Sequence, residues 1–157
     1  MKVAFLACAF LGAAACVKVD GGAVEVSWVV RTDDGRAITD CGCTDPRVQS
    51  VRLNLRRTDD GSRPCDGRAE CQFDCQRGGG ATAFDVAPGS YAISLTPLDS
   101  HGDDLTMATD SPVHTPAPIL RDVVHGQPAE IETFLLVVAR CASNCSGSSG
   151  TGVCTKQ

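Results

Sequence analysis

Aromatic residues are scarce in this chain, with one Trp, one Tyr and five Phe among 157 residues. An interior built with so few rings has to be mainly aliphatic, because the largest single contributors of buried area are missing. Positive charge is short as well: 14 Lys and Arg stand against 19 Asp and Glu, a net charge of -5. The basic footprint of a nucleic-acid binder is absent, so no nucleic-acid partner is expected. No apolar run is long enough to cross a bilayer, since the longest, residues 3–17, falls short of a roughly 30 Å hydrocarbon core at 1.5 Å per helical residue. Helical periodicity is rare. Gly-x-Ser-x-Gly, His-Glu-x-x-His and Cys-x-x-Cys are all missing, which removes the usual signatures of serine hydrolases, zinc proteases and thiol oxidoreductases.

What the chain has in abundance is cysteine, ten in all. Such a density fits an oxidising compartment rather than a reducing cytosol. The N-terminus agrees with export: Lys2, then the apolar run, then Lys18 and Asp20, is the layout of a signal peptide rather than of a membrane span. Within it, Ala13-Ala14-Ala15-Cys16 resembles a bacterial lipobox, in which the Cys becomes the lipidated first residue of the mature chain. The Leu usual three places before the Cys is replaced by Ala13, and the nearest Leu is Leu11. Cys8, after Phe5-Leu6-Ala7, fits the box but leaves too short an apolar run before it. Residues 1–15 are therefore expected to be a signal peptide, with Cys16 lipidated and residues 16–22 a tether.

Cysteine parity bears on that expectation. Removal of residues 1–15 leaves Cys16, Cys41, Cys43, Cys65, Cys71, Cys75, Cys141, Cys145 and Cys154. An odd number cannot all pair, whereas acylation of Cys16 leaves an even set able to close four bridges. Ordinary signal cleavage, which Ala13 and Ala15 also permit, would strand one thiol. Several acyl chains on one residue would anchor the protein stably.

The mature chain reads as short strands divided by turn residues, with a β domain over residues 23–140 and a Cys/Gly/Ser-rich tail over 141–157. Val24, Val26, Trp28 and Val30 alternate with Glu25 and Ser27, and Val51, Leu53 and Leu55 alternate with Arg52, Asn54 and Arg56, as half-buried strands do. Phe84 and Val86, before Pro88-Gly89, are expected to form a hairpin with the strand of Tyr91, Ile93 and Leu95. Leu105 and Met107 read as a continuation after the turn Asp99-Ser100-His101-Gly102. Pro112, Pro116 and Pro118 make the next stretch an edge or a loop. Residues 130–138 read as a closing strand covered on both faces, because Phe134 to Val138 is continuously apolar. Asp33-Asp34-Gly35 and Asp59-Asp60-Gly61 supply turn chemistry. The expected fold is all-β: a small antiparallel β-sandwich of about seven strands with disulfide-stapled loops.

These residues resemble secreted bacterial lipoproteins that carry a carboxypeptidase-regulatory-like or transthyretin-like (Ig-like) β-sandwich. The resemblance lies in a Trp-bearing strand after the lipidated Cys, in residues 43–55, and in Phe84-Asp85-Val86-Ala87-Pro88-Gly89-Ser90-Tyr91 followed by Leu98-Asp99-Ser100-His101-Gly102. It implies binding or scaffolding rather than catalysis, and no catalytic residue follows from it. The cysteine-rich segments 65–75 and 141–154 depart from the plain domain.

The cysteines fall into three polar, Gly-rich groups, where loops are stapled. Cys71-x₃-Cys75 and Cys141-x₃-Cys145 match zinc-knuckle spacing formally, but in an exported chain all eight are expected to form structural disulfides. Cys41 and Cys43 are expected to bridge to different partners. His101, His114 and His125 read as loop histidines, Glu130 and Glu132 as a solvated strand face, and Trp28 and Tyr91 as core. Asp99, Asp103 and Asp104 miss the order of a calcium loop, and Gly78-Gly79-Gly80 and Gly147-Ser148-Ser149-Gly150 read as flexible loops. No catalytic residue, metal or cofactor is assigned. The expected protein is a lipid-anchored, non-enzymatic module of the cell envelope, at the outer membrane, with a periplasmic or secreted form as the alternative. Its expected partners are the membrane, through the N-terminal lipid, and an envelope protein or glycan. The alternative function is a secreted inhibitor using the stapled loop 66–73, or a small hydrolase using His114 or His125.

Overall fold

The computed structural model describes residues 19–110, 112–143, 145–147 and 153–156. The expected signal peptide, Cys16 with its expected lipid, and the first part of the expected tether lie outside them. The strands are β1 (Ala23–Thr32), β2 (Ala37–Ile38), β3 (Thr44–Asp45), β4 (Ser50–Arg57), β5 (Gln72–Asp74), β6 (Gly79–Ala81), β7 (Gly89–Leu98), β8 (Ile119–Val123), β9 (Pro128–Glu130), β10 (Phe134–Val138), β11 (Arg140–Cys141), β12 (Cys145–Gly147) and β13 (Val153–Lys156). Short 3₁₀ turns stand at Cys41–Cys43, Ala69–Cys71, Cys75–Arg77 and Leu105–Met107. No α-helix occurs among the described residues, and none of their segments is a helix long and apolar enough to cross a membrane.

Two sheets face each other. One is antiparallel in the order β5-β4-β7-β8, with Leu53 opposite Leu95 and Leu55 opposite Ile93. The other is organised around β1, whose first half pairs β6 and β9 and whose second half pairs β10 and β2. The alternation of β1 and β4 puts Val24, Val26, Trp28 and Val30 against Val51, Leu53 and Leu55, all of them buried. Trp28 and Tyr91 are core residues, and the Trp28 indole N–H donates to the Cys75 carbonyl at 3.0 Å. The fold is the expected small all-β sandwich with disulfides, though the β1 sheet is mixed: β10 and β9 run parallel to β1, and β13 runs parallel to β2.

Several local expectations change. Phe84 to Val86 forms no hairpin with β7; Val86 instead bridges Gly22 in the other sheet, while β7 pairs β4 and β8. Residues 87–88 carry the chain from one sheet to the other, and the Tyr91 hydroxyl donates to the Ala87 carbonyl at 2.8 Å. This is a tyrosine corner: a backbone acceptor freed by the turn is satisfied by a side chain from the next strand. Leu105–Met107 is a 3₁₀ turn rather than a strand, because the Asp104 carboxylate caps the Thr106 N–H at 2.8 Å. Residues 130–138 are not one strand; β9 ends at Glu130 and β10 begins at Phe134. Nor is β10 covered on both faces, since Leu135 points outward and is exposed.

The glycine run 78–80 is structural rather than a flexible loop. Gly78, with φ of 64°, ends a 3₁₀ turn in the left-handed region. Gly80 pairs with Val26, and a Cβ there would lie 2.4 Å from the ring of Phe73. The absent side chain is what lets Phe73, from the opposite sheet, reach the Trp28 ring at a centroid distance of 6.3 Å.

The tail over 141–157 belongs to the fold in its described part: β11 pairs β3, and β12 and β13 extend the sheet beyond β2. Four bridges, Cys41–Cys75, Cys43–Cys145, Cys65–Cys71 and Cys141–Cys154, use all eight cysteines. Cys41 and Cys43 do go to different partners, from a 3₁₀ turn in which residues two apart point away from each other.

The long strands define two ends. At the leading end lie Gly22, the end of β4, the start of β7 and the turn 124–127. At the braced end lie the ends of β1, β7 and β10 and the start of β4, together with the bridges of Cys41, Cys43 and Cys141.

Candidate functional site

The braced end gathers loops that are far apart in sequence. Backbone bonds place residue 49 between them: the Gln49 N–H donates to the Leu98 carbonyl at 2.8 Å, and the Cys75 N–H donates to the Gln49 carbonyl at 3.1 Å. Beside the Cys41–Cys75 bridge, Gln76 ties two loops together. Its side-chain oxygen accepts from the Cys41 N–H at 3.0 Å, and its amide donates to the Thr39 carbonyl at 2.9 Å. These fixed loops line two adjoining depressions. One, of about 550 Å³, has Gln49, Ser50, Gln72, Asp74, Asp99 and His101 on its walls. The other, of about 430 Å³, is bordered by Asp40, Arg47 and Gln76 and shares Gln49 and Asp74 with the first.

The chemistry of this surface is hydrogen bonding. Its carboxylates are engaged in holding their own loops. Asp74 accepts from the Gln76 N–H at 2.8 Å, and Asp40 accepts from the Gly42 N–H at 2.7 Å. Asp99 accepts from the His101 and Asp103 N–H groups at 2.8 and 2.9 Å. The Asp103 amide, more than any other group, holds the Asp99 carboxyl below its ordinary range. Ser50 accepts from the Gln72 amide at 2.9 Å. Rigid loops with remaining amide, guanidinium and imidazole groups suit a polar partner, since little conformational entropy is left to lose on docking.

The other sequence candidates lie apart. His101 is on the wall just described, His114 pairs its backbone with Val137, and His125 is exposed in the turn 124–127. Glu130 and Glu132 do not share a strand face, and Glu132 forms an ion pair with Arg121 at 3.2 Å. Among the described residues no group of three or more His, Cys, Asp or Glu is arranged to hold a metal. The loop 66–73 is not a free protruding segment: Phe73 is core, and Arg68 is bound to Asp85 at 2.6 Å and to Glu70 at 2.7 Å. Gln49, Arg47 and Gln76 were not singled out in the sequence. The one signal for Gln76 is its place directly after Cys75.

No protein-family model matches the chain, and neither does any curated protein or solved structure.

Proposed function

We propose that the protein is a lipid-anchored, non-catalytic binding or scaffolding module of the bacterial cell envelope, held by acylated Cys16 and engaging an envelope protein or glycan through its braced end. One observation carries this reading. The eight cysteines from Cys41 onward pair among themselves, so they leave Cys16 none of their thiols. Acylation is the fate that gives that sulfur a partner, and four internal bridges fit an exported chain. The corner at Tyr91 and the Trp-bearing β1 suit the transthyretin-like sandwich that the sequence resembles. Binding rather than turnover is favoured because the braced end offers fixed polar loops whose carboxylates already serve as caps.

Intact mass spectrometry of membrane-extracted protein, before and after reduction, tests the anchor. The expected mass is that of a chain starting at Cys16 with acyl groups attached, gaining eight hydrogens on reduction. Cys16→Ala should move the protein into the soluble fraction. A chain with residues 1–15 retained, or one that stays in the membrane as the variant, would end this reading. For the binding surface, the variant Arg47→Ala with Gln49→Ala should lose capture of the envelope component that the native protein retains.

A further inference from the structure

We infer that the leading end of the sandwich rests on a zwitterionic phospholipid surface while the braced end is presented away from it, an inference that depends on acylation of Cys16 as proposed above. The chain is built into the fold from Asp20 onward. The Asp20 and Gly21 N–H groups donate to the Phe84 carbonyl at 3.0 and 2.9 Å, and the Gly22 N–H donates to the Val86 carbonyl at 2.8 Å. On the other side, the Gly126 N–H donates to the Gly21 carbonyl at 2.9 Å. The strand of backbone at Gly21 and Gly22 runs between two others so closely that a Cβ on either glycine would meet a carbonyl oxygen at 2.2 or 2.4 Å. It is clamped from both sides, and peeling it away to lengthen the tether would break all four bonds.

From Cys16 to Asp20 there are four residue steps, which span at most about 14 Å however the segment is arranged. The braced end lies a full β1 beyond, about 30 Å farther at roughly 3.3 Å per residue. The tether therefore keeps the leading end within reach of the lipid, and with β1 directed away from the surface the braced end stays out of it. Val19 and Val124, on the chain's approach and on the neighbouring turn, are 41% and 49% exposed, so this end carries apolar groups able to meet lipid. The charges around them do not favour anionic lipid. Arg57 is paired with Asp59 at 2.9 Å, Arg63 with Asp66 at 3.8 Å, and Arg68 with both Asp85 and Glu70, while exposed Arg56 and Asp60 offset each other, so among these groups carboxylates outnumber guanidinium groups by one. Neutral headgroups meet this surface without repulsion, whereas polyanionic ones meet excess carboxylate.

The test uses full-length acylated protein in phosphatidylcholine vesicles doped with headgroup spin-labelled phosphatidylcholine, a short-range quencher of Trp emission. Val124→Trp and His125→Trp report on the leading end. Met107→Trp, at a residue 79% exposed just after the bridge between Leu98 and Asp104, reports on the other. Trp28 contributes the same buried background to each and is subtracted. Loss of most of the added emission at 124 and 125, with little loss at 107, is the expected result, and a long Gly/Ser insertion between Lys18 and Val19 should restore the emission. Equal quenching at 107 and 124, or none at 124 and 125 in acylated protein with native near-ultraviolet circular dichroism, would overturn the inference while leaving the anchor standing. Mass spectra without acyl groups would overturn the anchor and this inference together.

Discussion

The two ends of the sandwich are held by different means. At the leading end the chain is fixed by backbone bonds from residues 20–22 and by the corner that Tyr91 closes on Ala87. At the braced end the described residues of the connections over 33–49, 74–78 and 139–147 contain only two- and three-residue strands; Cys41–Cys75 and Cys43–Cys145 join these connections to one another, and Cys141–Cys154 joins the last of them to β13. The difference follows from where ladders end. Where β4, β7 and β1 begin or finish beside one another, paired amides and a buried ring suffice. Where loops have little apolar surface to bury, restriction of the unfolded chain by sulfur replaces packing.

The sharpest way to break this comparison is to remove one bridge at a time. Cys43 and Cys145 are 102 residues apart and Cys65 and Cys71 only six. Replacing the first pair with Ala should lower unfolding free energy by about 4 to 5 kcal/mol, and replacing the second by about 2 kcal/mol, on the chain-entropy scale. Urea titrations of the two double variants would show it, and equal losses would mean that the long bridge adds no bracing of its own.

Next in size is the shared interior. Leu53 is fully buried between the sheets, opposite Leu95. Leu53→Ala should cost about 3 kcal/mol, with one cooperative transition by both fluorescence and circular dichroism. Two separated transitions would show that the ends fold independently.

Tyr91→Phe is smaller: the lost hydroxyl leaves the Ala87 carbonyl without its donor, at about 1 kcal/mol. Because the corner and the Cys43–Cys145 bridge lie at opposite ends, their effects should add to within about 0.5 kcal/mol in the combined variant. A larger coupling would join what the comparison separates.

The smallest effects are those of pH. Burial raises the Tyr91 phenol above its ordinary 10.0, so stability should hold below that value and fall as pH rises through the unfolded and then the folded value. The carboxyls go the other way. Arg36 and then Thr32 hold Asp34 far below the usual range, Ser62 lowers Asp60, and backbone amides lower Asp99. Their contribution is present above the ordinary carboxylate value of 3.8 and is lost as pH falls below it. Thermal melts should show a weak acid decline that added salt reduces for the Asp34 ion pair, since exposed pairs are screened.

The long alternating strands were legible in the sequence because period-two burial leaves a mark on every second residue, as in Val24, Val26, Trp28 and Val30. β8 was not, since the polar Arg121 and Asp122 sit inside its five residues and three prolines precede it. The apparent hairpin at Pro88-Gly89 misled for a related reason: a turn dipeptide marks a change of direction without saying which sheet the chain enters next. The Asp-Gly turns are where they were expected, with Gly35 and Gly61 at φ of 87° and 72°. Of the candidate binding surface only Asp99 and His101 stood out beforehand, as parts of a turn. Gln49, Asp74 and Gln76 came together through pairing across long stretches of chain.

By itself the sequence determined the class of interior, the positions of β1, β4 and β7, and the grouping of eight cysteines in polar, Gly-rich segments, because each of these is written in residue type and local spacing. Only the tertiary structure decided which cysteines meet, that the C-terminal residues join the β1 sheet, and that the chain is fixed from Asp20 onward. Those are statements about distance between remote residues, and distance is set when two sheets close on one core, a property no local window of the chain contains.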